Sequence, residues 1–127
     1  MILMPPGLYP IAIRLCLRAI DWERYIAEIE HWAKHPKDDG SVTVFEMEDG
    51  GCSVVICFDG DFKKRDFENQ LGLVVHEVQH VWQAVLEHIH EDSPGDEIAA
   101  YSVQWIFQWV YAELVKRNWI KCPSRRG

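Results

Sequence analysis

The stretch Leu71 to Glu87, LGLVVHEVQHVWQAVLE, constrains the fold more than any other part of the chain. It sets His76-Glu77-Val78-Gln79-His80 inside an apolar run, and the span from Gln70 to about His90 reads as one long helix. Residues four apart on a helix lie one turn apart on the same face. His76 and His80 therefore point the same way and can share one metal ion. Glu77 sits one residue on, where it can reach a water at that metal without being a ligand itself. The plainer alternative is a helix with two ordinary polar histidines, because five-residue patterns recur by chance. The remaining segments decide between the two by whether they complete a site.

A chain of 127 residues is expected to form one domain with a modest core. Its 48% hydrophobic content is too high for a disordered polymer. The net charge of −7 argues against sequence-independent nucleic-acid binding and against docking on anionic lipid, both of which need a basic surface. Cys16, Cys52, Cys57 and Cys122 form no C-x-x-C pair, and the apolar start has two early prolines and no basic region of a signal peptide. Reduced thiols in a cytoplasmic protein are the expectation. No run approaches the roughly 18 apolar residues of a membrane-spanning helix.

In chain order, Met1 to Pro10 is expected to be extended or irregular because of Pro5, Pro6 and Pro10. Ile11 to Ile20 reads equally as a short helix or a strand. Asp21 to His35 reads as a helix capped by Asp21 and ended by Pro36, with Trp22, Ile26, Ile29 and Trp32 on its apolar stripe. Val42 to Glu46 and Ser53 to Phe58 are β-rich around Gly50-Gly51, the pattern of a hairpin, and the run Val54 to Phe58 suggests a strand covered on both faces. After the break at Pro94-Gly95, a second long helix is expected from Asp96 or Glu97 to about Asn118, capped by Asp96 or Ser93. The tail from Trp119 to Gly127 is expected to fray. The fold class is α+β: an N-terminal helix, a small hairpin or sheet, then two long helices.

A catalytic zinc usually takes three protein ligands and keeps a position for water. One extension of the motif needs a glycine and a third histidine at positions occupied here by Gln83 and Leu86, so that class is excluded. The other common solution takes a Glu from the following helix. Glu97 fits, since the Pro-Gly reversal lets its helix pack antiparallel beside the first; Asp96 is the alternative. Tyr101 lies one turn after Glu97 on the same face, followed by Gln104 and Gln108.

HEVQH followed by DEIAAY resembles the gluzincin class of zinc metallopeptidases, whose pattern is His-Glu-x-x-His plus a downstream Glu on a second helix. The longer phrase HEVQHVWQ…PGDEIAAYSVQWI is similar to short phage and prophage proteins with a minimal zincin core. The resemblance covers roughly residues 71 to 107. It implies a minimal zincin-like fold, Zn2+ held by His76, His80 and Glu97, and Glu77 as general base. It implies a peptide or protein substrate, or, if the core is structural, a phage or host protein partner. Where many gluzincins place an Asp to orient a histidine, this chain has Tyr101. No oxyanion-stabilising residue is identifiable beyond Tyr101 or His88.

Overall fold

The computed structural model describes residues 1–7 and 10–121. Four strands form one mixed sheet: β1 (Ile2–Leu3), β2 (Ile11–Cys16), β3 (Gly40–Glu46) and β4 (Cys52–Phe58), in the order β1-β2-β4-β3. Three helices complete an α+β architecture: α1 (Ala19–Glu28), α2 (Phe67–His88) and α3 (Asp96–Lys116).

β4 is the centre of the molecule. It pairs parallel with β2 and antiparallel with β3, and every residue from Cys52 to Phe58 is buried. The near-continuous apolar run of Val54 to Phe58 is what a strand covered on both faces requires. The hairpin to β3 turns at Gly50, whose φ of 87° is the left-handed conformation that glycine adopts without a Cβ penalty. The Asp49 carboxylate accepts from the Gly51 N–H at 2.8 Å and closes the turn.

Alternate residues of the strands feed two cores. On one face Leu15, Val54, Ile56 and Phe58 pack with Val74, Val78 and Val81 of α2 and with Ile106, Val110 and Leu114 of α3. On the other, Cys16, Val55 and Cys57 pack with Trp22, Tyr25 and Ile26 of α1 and with Phe45. The period-two alternation of a strand sorts Leu15 from Cys16 and Ile56 from Cys57 in this way.

Several boundaries differ from the sequence reading. Ile11 to Cys16 is a strand, which periodicity left open. The first helix begins at Ala19 and ends at Glu28 instead of running from Asp21 to His35; Arg18 is its N-cap, and Asp21 lies in the first turn. Pro36 does not end it. Glu30 takes a φ of 54°, and the His31 N–H bonds back to the Ile26 carbonyl at 3.0 Å. The physical reason lies in Trp22: its ring is buried, and its indole N–H donates to the Ala33 carbonyl at 3.0 Å, which holds the chain turned back over the helix. α2 begins at Phe67, one turn before Gln70, because the Asp66 side chain caps the Asn69 N–H at 2.9 Å. α3 starts after Gly95, with no side-chain cap from Ser93 or Asp96.

The start of the tail is not frayed. Trp119 and Ile120 are buried in the main core, and Lys63 lies 4.3 Å from the Trp119 ring centroid. The Gln70 amide donates to the Phe62 and Trp119 carbonyls, which fastens the start of α2 to the end of α3 and makes the two helices antiparallel. Cys122 to Gly127 lie outside the described residues. Ile2 and Leu3 pair antiparallel with Leu15 and Arg14, so part of the N-terminal stretch is a sheet edge. Among the described residues, no helix is long and apolar enough to cross a membrane.

Candidate metal centre

α2 presents its histidine face at the open edge of the sheet. His76 and His80 are both exposed, and their Nε2 atoms lie 3.1 Å apart with the rings at 79°. The Gln83 side-chain oxygen lies 3.1 Å from His80 Nδ1. The tautomer with its proton on Nδ1, donated to this amide oxygen, is the one that leaves the His80 Nε2 lone pair free.

Glu77 lies on the buried side of the same helix turn, beside the two imidazoles. It is 4% exposed, one carboxylate oxygen lies 3.8 Å from His76 Nε2, and Oε2 is buried with no hydrogen-bond partner. Burial pushes its carboxyl above the ordinary carboxylate range; His76 and His80 pull it back, and Asp38 adds to the rise. Gly40 lets the first residue of β3 lie against this carboxylate. A Cβ there would stand 3.1 Å from Glu77 Cγ and 3.3 Å from the Phe58 ring. The Asp39 carboxylate pairs with Arg65, which holds the entry to β3 beside the 3₁₀ turn that leads into α2.

A groove runs between β3 and α2, lined by Val42, Val44, Glu77, His80, Gln83 and Glu87. β3 is an edge strand, so its outer backbone N–H and C=O groups have no partner within the sheet.

The structure brings together three of the sequence-designated residues. Donor atoms of His76, Glu77 and His80 lie within 4.8 Å of one another. Glu97 and Tyr101 are not part of that group. Glu97 is exposed in the first turn of α3, and Tyr101, one turn on, is 66% exposed. The reason is the length of α2. It continues to His88, so the antiparallel reversal places the start of α3 beside the last turn of α2. His80 lies about 12 Å back along the axis at 1.5 Å per residue. His88 is drawn instead to the end of β3, with Nδ1 3.6 Å from a Glu46 carboxylate oxygen. Asp96 is also exposed, and Gln104 and Gln108 face solvent.

Sequence reasoning missed Gly40, Asp38 and the contact of Gln83 with His80. Of these, only Gln83 had a local signal, three residues after His80 on one helix face. No family model, curated protein or solved structure matches the chain, so the functional reading rests on the site itself.

Proposed function

We propose that the chain is a small zinc-dependent hydrolase, acting on peptide bonds, with Glu77 as its general base. The observation that carries this is the orphaned Oε2 of Glu77, a buried carboxylate oxygen without a partner beside two converging imidazole nitrogens. Leaving such a group unsatisfied costs stability, and groups kept at that cost cluster at sites of chemistry. Two donors suit zinc as they stand, the imidazole nitrogens of His76 and His80 on one helix face, and Glu97 is the third ligand of this reading. The reading therefore requires the start of α3 to close toward His80 when metal binds, carrying Tyr101 with it.

A bound zinc supplies a Lewis acid and lowers the pKa of water toward about 7. The residues of the chain do the rest. Gln83 fixes the His80 tautomer, Glu77 accepts a proton at its free oxygen and returns it to the leaving amine, and Gly40 gives the carboxylate room. The free edge of β3 is suited to an extended peptide, which would add as a further strand along the groove.

The test is Glu77→Gln. Zinc content and fold should persist, while cleavage of a quenched-fluorescence peptide library falls by about 10²–10⁴-fold. Full activity in this variant, or purified protein lacking stoichiometric zinc, sinks the proposal.

One observation favours a second reading. Ile98, Tyr101 and Trp105 form an exposed apolar stripe along α3. In that reading the zincin-like core is a scaffold, and the stripe docks a protein partner in phage assembly or in the host. His76→Ala would then unfold the protein while Glu77→Gln changed nothing.

A further inference from the structure

We propose that Cys16, His35 and Cys57 form a second metal site, a buried thiolate–imidazole centre for a soft divalent cation of the zinc class. It lies on the face of the sheet opposite α2. It is independent of the histidine pair and of any hydrolytic activity.

The sequence distributes these residues too widely for any motif to show them. Cys16 ends β2 and Cys57 lies near the end of β4, and the parallel register pairs them directly. Both thiols are free, and both residues are at most 1% exposed. His35 arrives from the segment after α1. The early end of that helix and the Trp22 N–H bond to Ala33 bring it back over the sheet, where its ring meets Trp22 edge-on at 5.9 Å. Donor atoms of all three residues lie within 4.8 Å of one another. Zinc bonds of about 2.3 Å to sulfur and about 2.0–2.1 Å to nitrogen fit a gap of this size after small side-chain adjustments.

A second observation points to a ligand. Among the described residues, His35 Nε2 and Ser41 Oγ are buried without a partner, one on a residue of this cluster and the other on the register partner of Cys57. Ser41 stands opposite Cys57 in the antiparallel register, so its hydroxyl shares the thiol face. An imidazole nitrogen desolvated without a partner is costly, and a cation held by His35 through that nitrogen and by the two sulfurs would remove that cost. Ser41 is placed to donate to a Cys57 thiolate.

The charge also balances. Two thiols release their protons, and two thiolates with a neutral imidazole bind a divalent cation to give a centre with no net charge, which suits a buried setting. Sulfur and imidazole donors select zinc-like ions over calcium or magnesium. The remaining cluster of this kind, Glu46, Cys52 and His88, has an exposed carboxylate and no orphaned atom.

The test uses the full chain with His76 and His80 both changed to Ala, reduced and titrated with cobalt(II) alone. One equivalent should bind with a strong near-ultraviolet thiolate-to-cobalt band. Cys57→Ser in this background should abolish the band, and Cys52→Ser should leave it. His35→Gln, at a half-buried position, should weaken cobalt binding at least tenfold, which keeps the test decisive should Cys57→Ser fail to fold. The proposal is overturned if the reduced, folded double-histidine variant shows no band, or if the band survives Cys57→Ser. Unchanged affinity in His35→Gln also overturns it, as does protein isolated without reductant as a metal-free Cys16–Cys57 disulfide.

Discussion

On the α2 face of the sheet, the His76 side chain is 66% exposed and its neighbour Glu77 carries an unpartnered carboxylate oxygen. On the α1 face, Cys16 and Cys57 have almost no exposure and lie among Trp22, Tyr25 and Phe45. Both faces gather metal-ligating side chains, but one is open beside a groove and the other is closed by aromatic rings. Structural metal sites are closed, and catalytic ones keep an open position. On the two proposals chemistry belongs to the α2 face and cohesion to the α1 face, and that contrast can be attacked from either side.

The largest effect is expected where cohesion is concentrated. Trp22 is 1% exposed, packs against Phe45 and His35, and donates its indole N–H to Ala33. Trp22→Ala should cost about 3–5 kcal/mol in denaturant unfolding. It removes both the packing of α1 and the tie that returns His35 to the sheet. A loss under about 1 kcal/mol would mean that the α1 face does not carry the fold, and the contrast between the faces would fail.

A smaller effect of opposite sign is expected on the other face. Glu77 is buried beside Gly40 and Phe58. In metal-free protein, Glu77→Leu should raise stability by about 1–3 kcal/mol, because an unsatisfied carboxylate is replaced by an apolar side chain of similar size. Urea unfolding reads the change. A residue whose removal stabilises the fold is retained for something else. Destabilisation by Glu77→Leu would show that the carboxylate holds structure together, and Glu77 would lose its claim as a base.

What the sequence made legible follows from local signals. The His-Glu-x-x-His helix, the Gly50 turn, the doubly covered strand and the α+β class were all readable from spacing and composition within a few residues. What it hid depends on distant partners. The end of α1 at Glu28 is set by where the Trp22 N–H finds an acceptor, eleven residues on. The Cys16–Cys57 pairing is a parallel register between strands that are separated by a helix and a third strand. The opening of a helix at Asp96-Glu97 is legible from the Pro-Gly break, but the distance of Glu97 from His80 depends on how far α2 continues before reversing. Trp119 reads as part of a loose tail in sequence because the core that receives it, Phe62 and the start of α2, lies about 50 residues earlier in the chain.

The smallest effect tests the rim of the α1 face against its interior. Arg18 donates two hydrogen bonds of 2.9 Å to the two oxygens of Asp21 across the start of α1. This guanidinium holds the Asp21 carboxyl below its ordinary range. A carboxyl depressed in the folded state contributes stability above its unfolded value of about 3.9, and that contribution is lost as pH falls through the lower folded value. Asp21→Asn should therefore lower the thermal midpoint slightly at neutral pH, by on the order of a degree or two, and the gap should close in acid below the carboxyl range. Thermal scans of both proteins at neutral and acid pH measure it. Because the pair lies at the solvent-facing start of the helix, cobalt binding at Cys16 and Cys57 should be unchanged. A gap that persists in acid would mean that Asp21 acts by packing α1 onto β2 and not by its charge, and the rim would then belong to the cohesive interior it borders.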